Sequence, residues 1–365
     1  MKISNRLGKL HQRMAEKETE AILISQPENR HYLSGFNGSS GFLLITPGSV
    51  ILATDFRYVE QAEMQSPDYS IFKIAGDIEG WFPGLIDGLS IRRLGFESDH
   101  LSFGMYRRLS NILDDSGLQT RLVPITELVE PIRAVKEPEE IELITQAVAI
   151  SDTALDRVVA TIQAGMTEEE VAWEIEKSLR DNGSQPLPFE VIVASGASAA
   201  LPHARPSRRA IQPGEPLVID IGARVQGYNS DLSRTICLSP ADDTFKKVYK
   251  VVLEAQMAAI TSITEGMTSA QADGFAREII EGAGYGDSFG HGLGHGLGLS
   301  PHEKPHLSPN SEDVLVNGMV FTIEPGIYLT GWGGVRVEDT VIMENGKIRV
   351  LSQAQKMEVG IWYDK

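Results

Sequence analysis

The sequence has a single cysteine, Cys237, so no disulfide can form within the chain, and this predicts a reducing compartment. Basic residues are scarce: 33 lysines and arginines stand against 50 aspartates and glutamates, which gives a net charge of −17. That balance argues against nucleic acid or an anionic membrane as the main partner, since both need a basic surface. No apolar run approaches the ~20 residues of a membrane span. Residues 1–17 lack the apolar segment of a secretory signal, and we expect a cytoplasmic protein.

The length of the chain predicts two domains, because 365 residues exceed the usual size of one hydrophobic core. Two prolines and alternating charges mark residues 131–138 as a linker. We therefore expect a first domain over residues 1–130 and a second over residues 139–365.

The first domain shows strands and helices in a mixed order that is typical of a small α/β domain. Apolar spacing predicts helices and strands in the following segments: a helix over 4–18, a strand over 21–25, a hairpin over 41–46 and 50–54, a helix over 57–64, a strand over 94–97 and a helix over 103–113. Its polar stretches at 37–40 and 55–58 carry no metal-ligand pattern, and we interpret them as local structure. This domain alone does not indicate a function.

The second domain contains an internal repeat. An apolar helical stripe over 139–162 is followed by Thr167 and Glu170, a capping box that starts a helix running to Arg180. About a hundred residues later the pattern returns, with a helical stripe over 248–263 and a second helix after Thr268. Such a duplication usually sets the fold, and here it predicts two halves related by a pseudo-twofold axis.

Each half also carries two acids in strand-like sequence. Asp220 lies six residues after a glycine, as Glu324 does in the second half, and Asp231 and Glu338 follow them. Asp220 and Asp231 flank the turn at 223–227, which places them on adjacent antiparallel strands, where neighbours lie only ~5 Å apart. We expect the four acids to converge between the halves.

Four converging carboxylates in apolar strands are costly to bury unless cations neutralise them, and a pair of divalent ions is the simplest partner. With His295 the set offers oxygen and imidazole donors that suit Mn²⁺, Co²⁺, Fe²⁺ or Zn²⁺, whereas a lone cysteine excludes a thiolate site. Two such ions can share a hydroxide and polarise a carbonyl group, which is the arrangement of a hydrolase.

Four motifs in this domain resemble the pita-bread metallopeptidase family: VIDIGARVQGYNSDLSRT, HGLGHGLGLSPHE, TIEPGIY and GVRVEDT. The resemblance covers about residues 138–360. The N-terminal pattern ENRHYLSGFNGSSGF…ATDFRYVEQA is similar to the creatinase-type N-terminal domain. The implied fold is an α/β N-terminal domain followed by an α+β pita-bread domain with an internal pseudo-twofold repeat. The N-terminal domain accompanies the proline-specific members, prolidase and aminopeptidase P, and is normally absent from methionyl aminopeptidases.

The resemblance also implies a ligand set for two metal ions. The matching residues are Asp220, Asp231, His295, Glu324 and Glu338. Of these, Asp231 and Glu338 correspond to the acids that bridge the two ions. Glu324 corresponds to the glutamate that also handles protons from the attacking water. Mn²⁺ or Co²⁺ is the expected metal, with Zn²⁺ or Fe²⁺ as alternatives.

The implied substrate site contains histidines and one arginine. His203 and His302 match histidines that contact the substrate and stabilise the tetrahedral intermediate, and His291 matches one that lines the pocket. Arg336 matches an arginine of this site beside the last ligand, where it is expected to orient one of the two bridging acids. His306 has no such counterpart and is interpreted as a loop residue.

The resemblance implies a dinuclear exopeptidase that cleaves the Xaa–Pro bond of small peptides with proline in second position. It also implies a homodimer, because members of the family commonly dimerise. Dipeptidase and aminopeptidase activities both stay open. No arginine lies between Gly296 and Ile323, where some prolidases bind the substrate carboxylate, and this weakens a strict dipeptidase. The arginines near His203 are either solvated or bind that carboxylate: Arg205, Arg208 and Arg209.

Two other functions are compatible with the same fold. A methionyl-type aminopeptidase would cleave Met-Ala peptides that contain no proline. A non-catalytic protein-binding module, or a metal-free relative such as creatinase, usually lacks metal ligands. The presence of all five ligands argues against both of these last alternatives.

Overall fold

The computed structural model describes residues 3–238 and 240–357. The chain divides into two compact units, Met1–Arg133 and Ala134–Lys365. The boundary between them lies within 131–138, which we keep as the proposed linker. Residues 358–365, the end of the second predicted domain, lie outside the described residues. None of the helices in the described part of the chain combines the length and the apolar character needed to cross a membrane.

The first unit is built on one six-stranded sheet in the order β4-β3-β2-β1-β5-β6. Its strands are β1 (Ala21–Ile24), β2 (Phe42–Ile45), β3 (Val50–Asp55), β4 (Ser70–Ile74), β5 (Arg93–Glu97) and β6 (Arg121–Ile125). Its helices are α1 (Ile3–Glu16), α2 (Pro27–Ser34), α3 (Val59–Gln65), α4 (Ile78–Ile86), α5 (Phe103–Asp115) and α6 (Glu130–Ala134), the last of which reaches the boundary. Only β2 runs antiparallel to its neighbours in this sheet. The predicted α/β class is confirmed.

The polar stretches of the first unit form local contacts. Arg57 Nε lies 2.8 Å from Asp55 Oδ1 in an exposed ion pair. The hydroxyl groups of Ser39 and Tyr58 lie 2.7 Å apart and form a hydrogen bond. These contacts join the two stretches to each other.

The described residues of the second unit form four long helices, two larger sheets and two two-stranded pairs. The helices are α7 (Pro138–Val159), α8 (Glu168–Asp181), α9 (Asp243–Ser262) and α10 (Ser269–Gly282). A three-stranded sheet has the order β11-β8-β7, and a five-stranded sheet has the order β13-β12-β14-β17-β18. The strands are β7 (Ile192–Ser195), β8 (Pro216–Ile221), β9 (Arg224–Val225), β10 (Tyr228–Asn229), β11 (Leu232–Cys237), β12 (Gly294–Gly296), β13 (Glu303–Leu307), β14 (Val320–Ile323), β15 (Gly326–Leu329), β16 (Gly333–Arg336), β17 (Asp339–Glu344) and β18 (Lys347–Val350). The short pairs β9–β10 and β15–β16 are separate hairpins.

The internal repeat is visible in the start of the second helix of each half. Thr167 caps α8 in a capping box with Glu170, and Thr268 caps α10 in the same way with Gln271. In each half the capping threonine also forms a bridge to a later segment: Thr167 to Ala210, and Thr268 to Val314. The predicted pseudo-twofold repeat is therefore confirmed. Each half then continues into an antiparallel strand pair, β8–β11 or β14–β17.

Candidate metal centre

The strand pair β8–β11 positions the first two acids. Ser233 pairs with Asp220 and Leu232 pairs with Ile221, so Asp231 lies just before β11 and diagonally across from Asp220. Because side chains alternate between the two faces of a sheet, this diagonal offset of two residues places both carboxylates on the same face of the strand pair.

The strand pair β14–β17 positions the other two acids. Ile323 pairs with Asp339 at the end of this ladder, and Glu324 and Glu338 are the next residues on either strand. The segment between Glu324 and Glu338 forms the β15–β16 hairpin. Both strand pairs therefore carry two acids near the end of the ladder, with a diagonal offset in the first pair and directly opposite positions in the second.

The five predicted ligands come together at one place. Ligand atoms of Asp220, Asp231 and Glu338 lie within 4.8 Å of one another, as do those of His295, Glu324 and Glu338. His295 Nε2 lies 3.3 Å from Glu324 Oε1 and 3.6 Å from Asp231 Oδ2. Glu338 belongs to both of these groups, and the contact between His295 and Asp231 also joins them.

The electrostatics of this cluster favour a bound cation. Burial raises the pKa of Asp231, Glu324 and Glu338, and the charges of neighbouring carboxylates raise those of Asp231 and Glu338 further. Burial lowers the pKa of His295, so its imidazole is neutral and has a lone pair for a metal. The acids can all be ionised together only if positive charge is supplied between them.

Two carboxylate oxygens of the cluster lack a partner. Asp220 Oδ1 and Glu338 Oε1 are buried, and among the described residues neither has a hydrogen-bond partner. The second oxygen of each acid is held: Arg336 Nη2 lies 2.6 Å from Asp220 Oδ2, and Ser233 Oγ donates a 2.7 Å hydrogen bond to Glu338 Oε2. A buried acceptor without a partner costs ~1–3 kcal/mol. The donor set thus fits divalent cations, which prefer such oxygens.

The cluster lines a cavity of about 790 Å³. All nine predicted site residues line it: Asp220, Asp231, His295, Glu324, Glu338, His203, His291, His302 and Arg336. Apolar side chains form another part of its wall: Phe189, Val191, Ile192, Pro202 and Ala204. This size and mixture of apolar wall with a few polar groups suits a small ligand.

Two family models match the chain. The creatinase/prolidase N-terminal domain model matches residues 6–135, and the metallopeptidase family M24 model matches residues 142–345. The chain belongs to metallopeptidase family M24. The expectation of a peptidase enzyme is confirmed, so a non-catalytic module is no longer an alternative, and membership of this family implies divalent metal ions.

Relatives of this M24 enzyme match it along nearly its whole length. A Xaa-Pro dipeptidase of Pyrococcus furiosus is 36% identical over 358 residues, which cover 97% of this chain and 100% of the relative. The solved structure of a Xaa-Pro dipeptidase from Bacillus anthracis has a TM-score of 0.93 at 37% identity and covers 97% of this chain and 99% of its own. That of an X-Pro aminopeptidase from Thermotoga maritima has a TM-score of 0.87 at 35% identity, with coverage of 98% and 99%. The predicted resemblance to pita-bread Xaa-Pro peptidases is confirmed.

Arg336 of the M24 enzyme links the acids to each other. Besides its ion pair with Asp220, its Nε donates a 2.8 Å hydrogen bond to Ser233 Oγ, and Ser233 in turn binds Glu338. The prediction that Arg336 orients one of the bridging acids therefore needs a correction: its direct partner is Asp220, and it reaches Glu338 through Ser233. Sequence reasoning missed Ser233, although this residue lies in the same motif as Asp231.

Tyr328 was also missed, although it ends the TIEPGIY motif. Its hydroxyl group lies 2.9 Å from Arg336 Nη1 and 3.1 Å from His291 Nε2. This chain of contacts connects His291 with the arginine that holds Asp220. A hydroxyl group at this position both donates and accepts, which a phenylalanine could not do.

The remaining histidines occupy different positions around the M24 site. The rings of His295 and His302 lie with their centroids 4.1 Å apart, and His302 also has a ligand atom within 4.8 Å of those of Asp231 and His295. His203 is exposed at the cavity. His306, interpreted as a loop residue, instead lies in β13 opposite His295, and that interpretation was wrong.

The glycine-rich run around His295 is explained by close backbone packing. β12 lies between β13 and β14. A Cβ atom at Gly294 would overlap the carbonyl oxygen of Thr322, and one at Gly296 would overlap that of Lys304. Both contacts are with backbone, which cannot swing away as a side chain can. Glycine is therefore required on either side of His295.

We expect Gly296→Ala to destabilise the enzyme by ~3 kcal/mol, the upper end of the usual cost of overpacking, because the clash is with backbone. Thermal or denaturant unfolding of the purified variant measures this. Gly290→Ala is the matched control, because Gly290 belongs to the same run and a Cβ atom there meets nothing within 4 Å. Equal stability of the two variants would contradict the close packing of β12.

Proposed function

We propose that this M24 enzyme is a dinuclear exopeptidase that hydrolyses the Xaa–Pro bond at the N-terminus of small peptides. One observation carries the proposal: four acids and one histidine converge in a cavity with two buried carboxylate oxygens, Asp220 Oδ1 and Glu338 Oε1, that have no partner among the described residues. Two oxygens at separate acids are better explained by two cations than by one.

The preference for proline is supported by the relatives. The Pyrococcus furiosus and Bacillus anthracis proteins are named Xaa-Pro dipeptidases, and the Thermotoga maritima protein is named an X-Pro aminopeptidase. All three names share the Xaa–Pro bond and differ in the length of the peptide. The apolar part of the cavity wall suits a proline ring. Homodimer formation and a cytoplasmic location stay predictions.

The proposed metal ligands are Asp220, Asp231, His295, Glu324 and Glu338, with Asp231 and Glu338 as the bridging acids. When bound, two divalent ions supply an activated water at neutral pH and polarise the scissile carbonyl group. Oxygen donors with a single imidazole suit Mn²⁺, Co²⁺, Zn²⁺ or Fe²⁺, and the family resemblance favours Mn²⁺ or Co²⁺ among them.

Glu324 is the proposed proton acceptor. Its carboxylate lies at the cavity beside the other proposed ligands, where it could accept a proton from a water held at the metal centre. Thr322 Oγ1 donates a 3.0 Å hydrogen bond to Glu324 Oε1 and thereby fixes the orientation of the carboxylate. The same group can later deliver the proton to the leaving nitrogen of proline.

Two histidines and Arg336 complete the proposed roles. Burial lowers the pKa of His302, so its ring is neutral and can donate one hydrogen bond to the substrate carbonyl oxygen while it accepts another. His203 lies at the same cavity and is proposed to hold the peptide from the exposed side. His291 is proposed to line the substrate pocket. Arg336 is proposed to act through Asp220, since its guanidinium group is almost fully buried.

Hydrolysis of Ala-Pro and Ala-Pro-Ala by the full chain tests the proposal. We expect Mn²⁺-dependent release of alanine from at least one of the two, and its loss with a chelator. Cleavage of the dipeptide alone indicates a dipeptidase, and cleavage of the tripeptide indicates an aminopeptidase. Met-Ala-Ala is the control without proline: its cleavage in preference to both proline peptides would support a methionyl-type aminopeptidase and contradict the proposal.

A further inference from the structure

Three arginines follow His203 in the chain, and the structure separates them. Arg209 Nη1 lies 2.5 Å from Glu215 Oε1 and also donates to Ser195 Oγ, so its guanidinium group is engaged away from the cavity. Arg208 pairs with Glu169 at 3.6 Å and does not line the cavity. Arg205 is the member of this group that lines the cavity.

Arg205 has a partner that it can readily exchange. Its Nε lies 3.2 Å from Glu190 Oε2, and the two side chains are 82% and 60% exposed. An ion pair this exposed contributes little to stability, because water screens the charges and both side chains lose freedom when they pair. Glu190 also lines the cavity, so the pair lies where a substrate carboxylate can compete with Glu190 for the guanidinium group.

No other arginine or lysine that lines the cavity is available to such a carboxylate. Among the described residues the cavity is lined by one further arginine, Arg336, and by no lysine. Arg336 is 3% exposed and is bound to Asp220, Ser233 and Tyr328. An anionic substrate also meets the acids of the proposed metal centre, so an exposed cation is needed to attract it.

The sequence around these residues alternates polar and apolar side chains along the cavity wall. Glu190 stands between Phe189 and Val191, and Arg205 follows Ala204, with all five at the cavity. An apolar wall with a guanidinium group at its exposed side matches a C-terminal proline, whose ring is apolar and whose carboxylate projects from it. A guanidinium group binds a carboxylate through two parallel hydrogen bonds, which gives it geometric selectivity.

We propose that Arg205 binds the carboxylate of an Xaa-Pro dipeptide in exchange for Glu190 and thereby makes the enzyme prefer dipeptides to longer chains. The inference rests on the proposed Xaa-Pro activity. A tripeptide presents a neutral peptide carbonyl at the position where the dipeptide carries its carboxylate, so it cannot form the same pair. Because Arg205 is exposed, it strengthens the binding of a dipeptide carboxylate without sterically blocking longer peptides.

The test compares Ala-Pro with its neutral amide, Ala-Pro-NH₂, on the metal-loaded full chain. Arg205→Met is expected to raise KM for Ala-Pro about tenfold, the lower end of what a hydrogen bond to a charged group contributes, and to leave KM for the amide unchanged. Glu190→Gln is expected to lower KM for Ala-Pro about two- to threefold, because it removes the competing carboxylate. Arg208→Met is the matched control and is expected to behave as wild type.

KM for Ala-Pro is expected to rise in Arg205→Met and to fall in Glu190→Gln, and these opposite changes distinguish an effect on substrate binding from a loss of structure. Damage to the fold raises KM for the acid and the amide alike, and an equal rise for both overturns the inference. An unchanged KM for Ala-Pro in Arg205→Met also overturns it, although the proposed function then stands. If the wild-type enzyme cleaves neither Ala-Pro nor its amide, the proposed function is wrong and the inference falls with it.

Discussion

Glu324→Gln will lower kcat for Ala-Pro by about 10³-fold, because a positioned general base contributes ~10²–10⁴-fold to the rate. The substitution removes the proposed proton acceptor and weakens one proposed metal ligand without changing the shape of the side chain. The amide oxygen of glutamine can still accept the hydrogen bond from Thr322 Oγ1, so the orientation of the residue is kept. Steady-state hydrolysis at saturating Mn²⁺ measures the loss.

Glu312→Gln is the control for this variant, because Glu312 is an exposed acid that does not line the cavity. The control is expected to keep the wild-type kcat. Circular dichroism of Glu324→Gln should match that of the wild type, since the substitution is isosteric. A kcat within tenfold of the wild-type value, in a variant that is fully loaded with metal, would show that another group accepts the proton.

The convergence of the acids could be predicted because it follows from local patterns that repeat. Asp220 and Glu324 each lie six residues after a glycine in the two copies of the repeat, and Asp231 and Glu338 follow them. Antiparallel pairing then brings each pair of acids together, whatever the details of the packing. The capping box at Thr167 is equally local, since it depends on four consecutive residues.

Contacts that depend on tertiary packing could not be predicted. Arg336 contacts Asp220 although the two residues are 116 positions apart in the chain. Ser233 likewise lies between Arg336 and Glu338 only through long-range contacts. In the same way, nothing local distinguishes Arg205 from Arg208. The difference arises because one of them faces the cavity and the other pairs with Glu169.

Helix α4 of the first unit shows how packing overrides a local signal. Residues 78–86 contain two glycines and Pro83, which disfavour a helix, and the sequence analysis predicted no element there. The helix forms nevertheless, and it buries Trp81, Phe82 and Leu85. Burial of such side chains contributes ~1.5–3 kcal/mol each. The three together contribute about 4.5–9 kcal/mol, against about 5 kcal/mol for one proline and two glycines in a helix interior.

Glu338→Gln will stabilise the metal-free enzyme and abolish its stabilisation by metal. In the metal-free wild type, Glu338 Oε1 is buried without a partner among the described residues, and neighbouring carboxylates repel it. Glutamine replaces that oxygen with an NH₂ group, which can donate to Asp220 or Asp231, while its carbonyl oxygen keeps the bond from Ser233. Removal of this unpaired acceptor is expected to raise the free energy of unfolding of the metal-free enzyme by ~1–3 kcal/mol.

Metal is expected to stabilise the wild type and to leave the stability of the variant unchanged. A ligand at 100 times its Kd that binds only the folded state stabilises it by ~2.7 kcal/mol, so Mn²⁺ is expected to raise the melting temperature of the wild type strongly. The variant lacks the acid that both ligand groups share, and its melting temperature should not respond to Mn²⁺. Thermal unfolding with chelator and with Mn²⁺, alongside Glu312→Gln as a control that responds like the wild type, measures both effects. A carboxylate whose role is to bind cations destabilises the metal-free protein. If metal-free Glu338→Gln melted below the metal-free wild type, Glu338 would instead stabilise the fold without metal, and the prediction would be wrong.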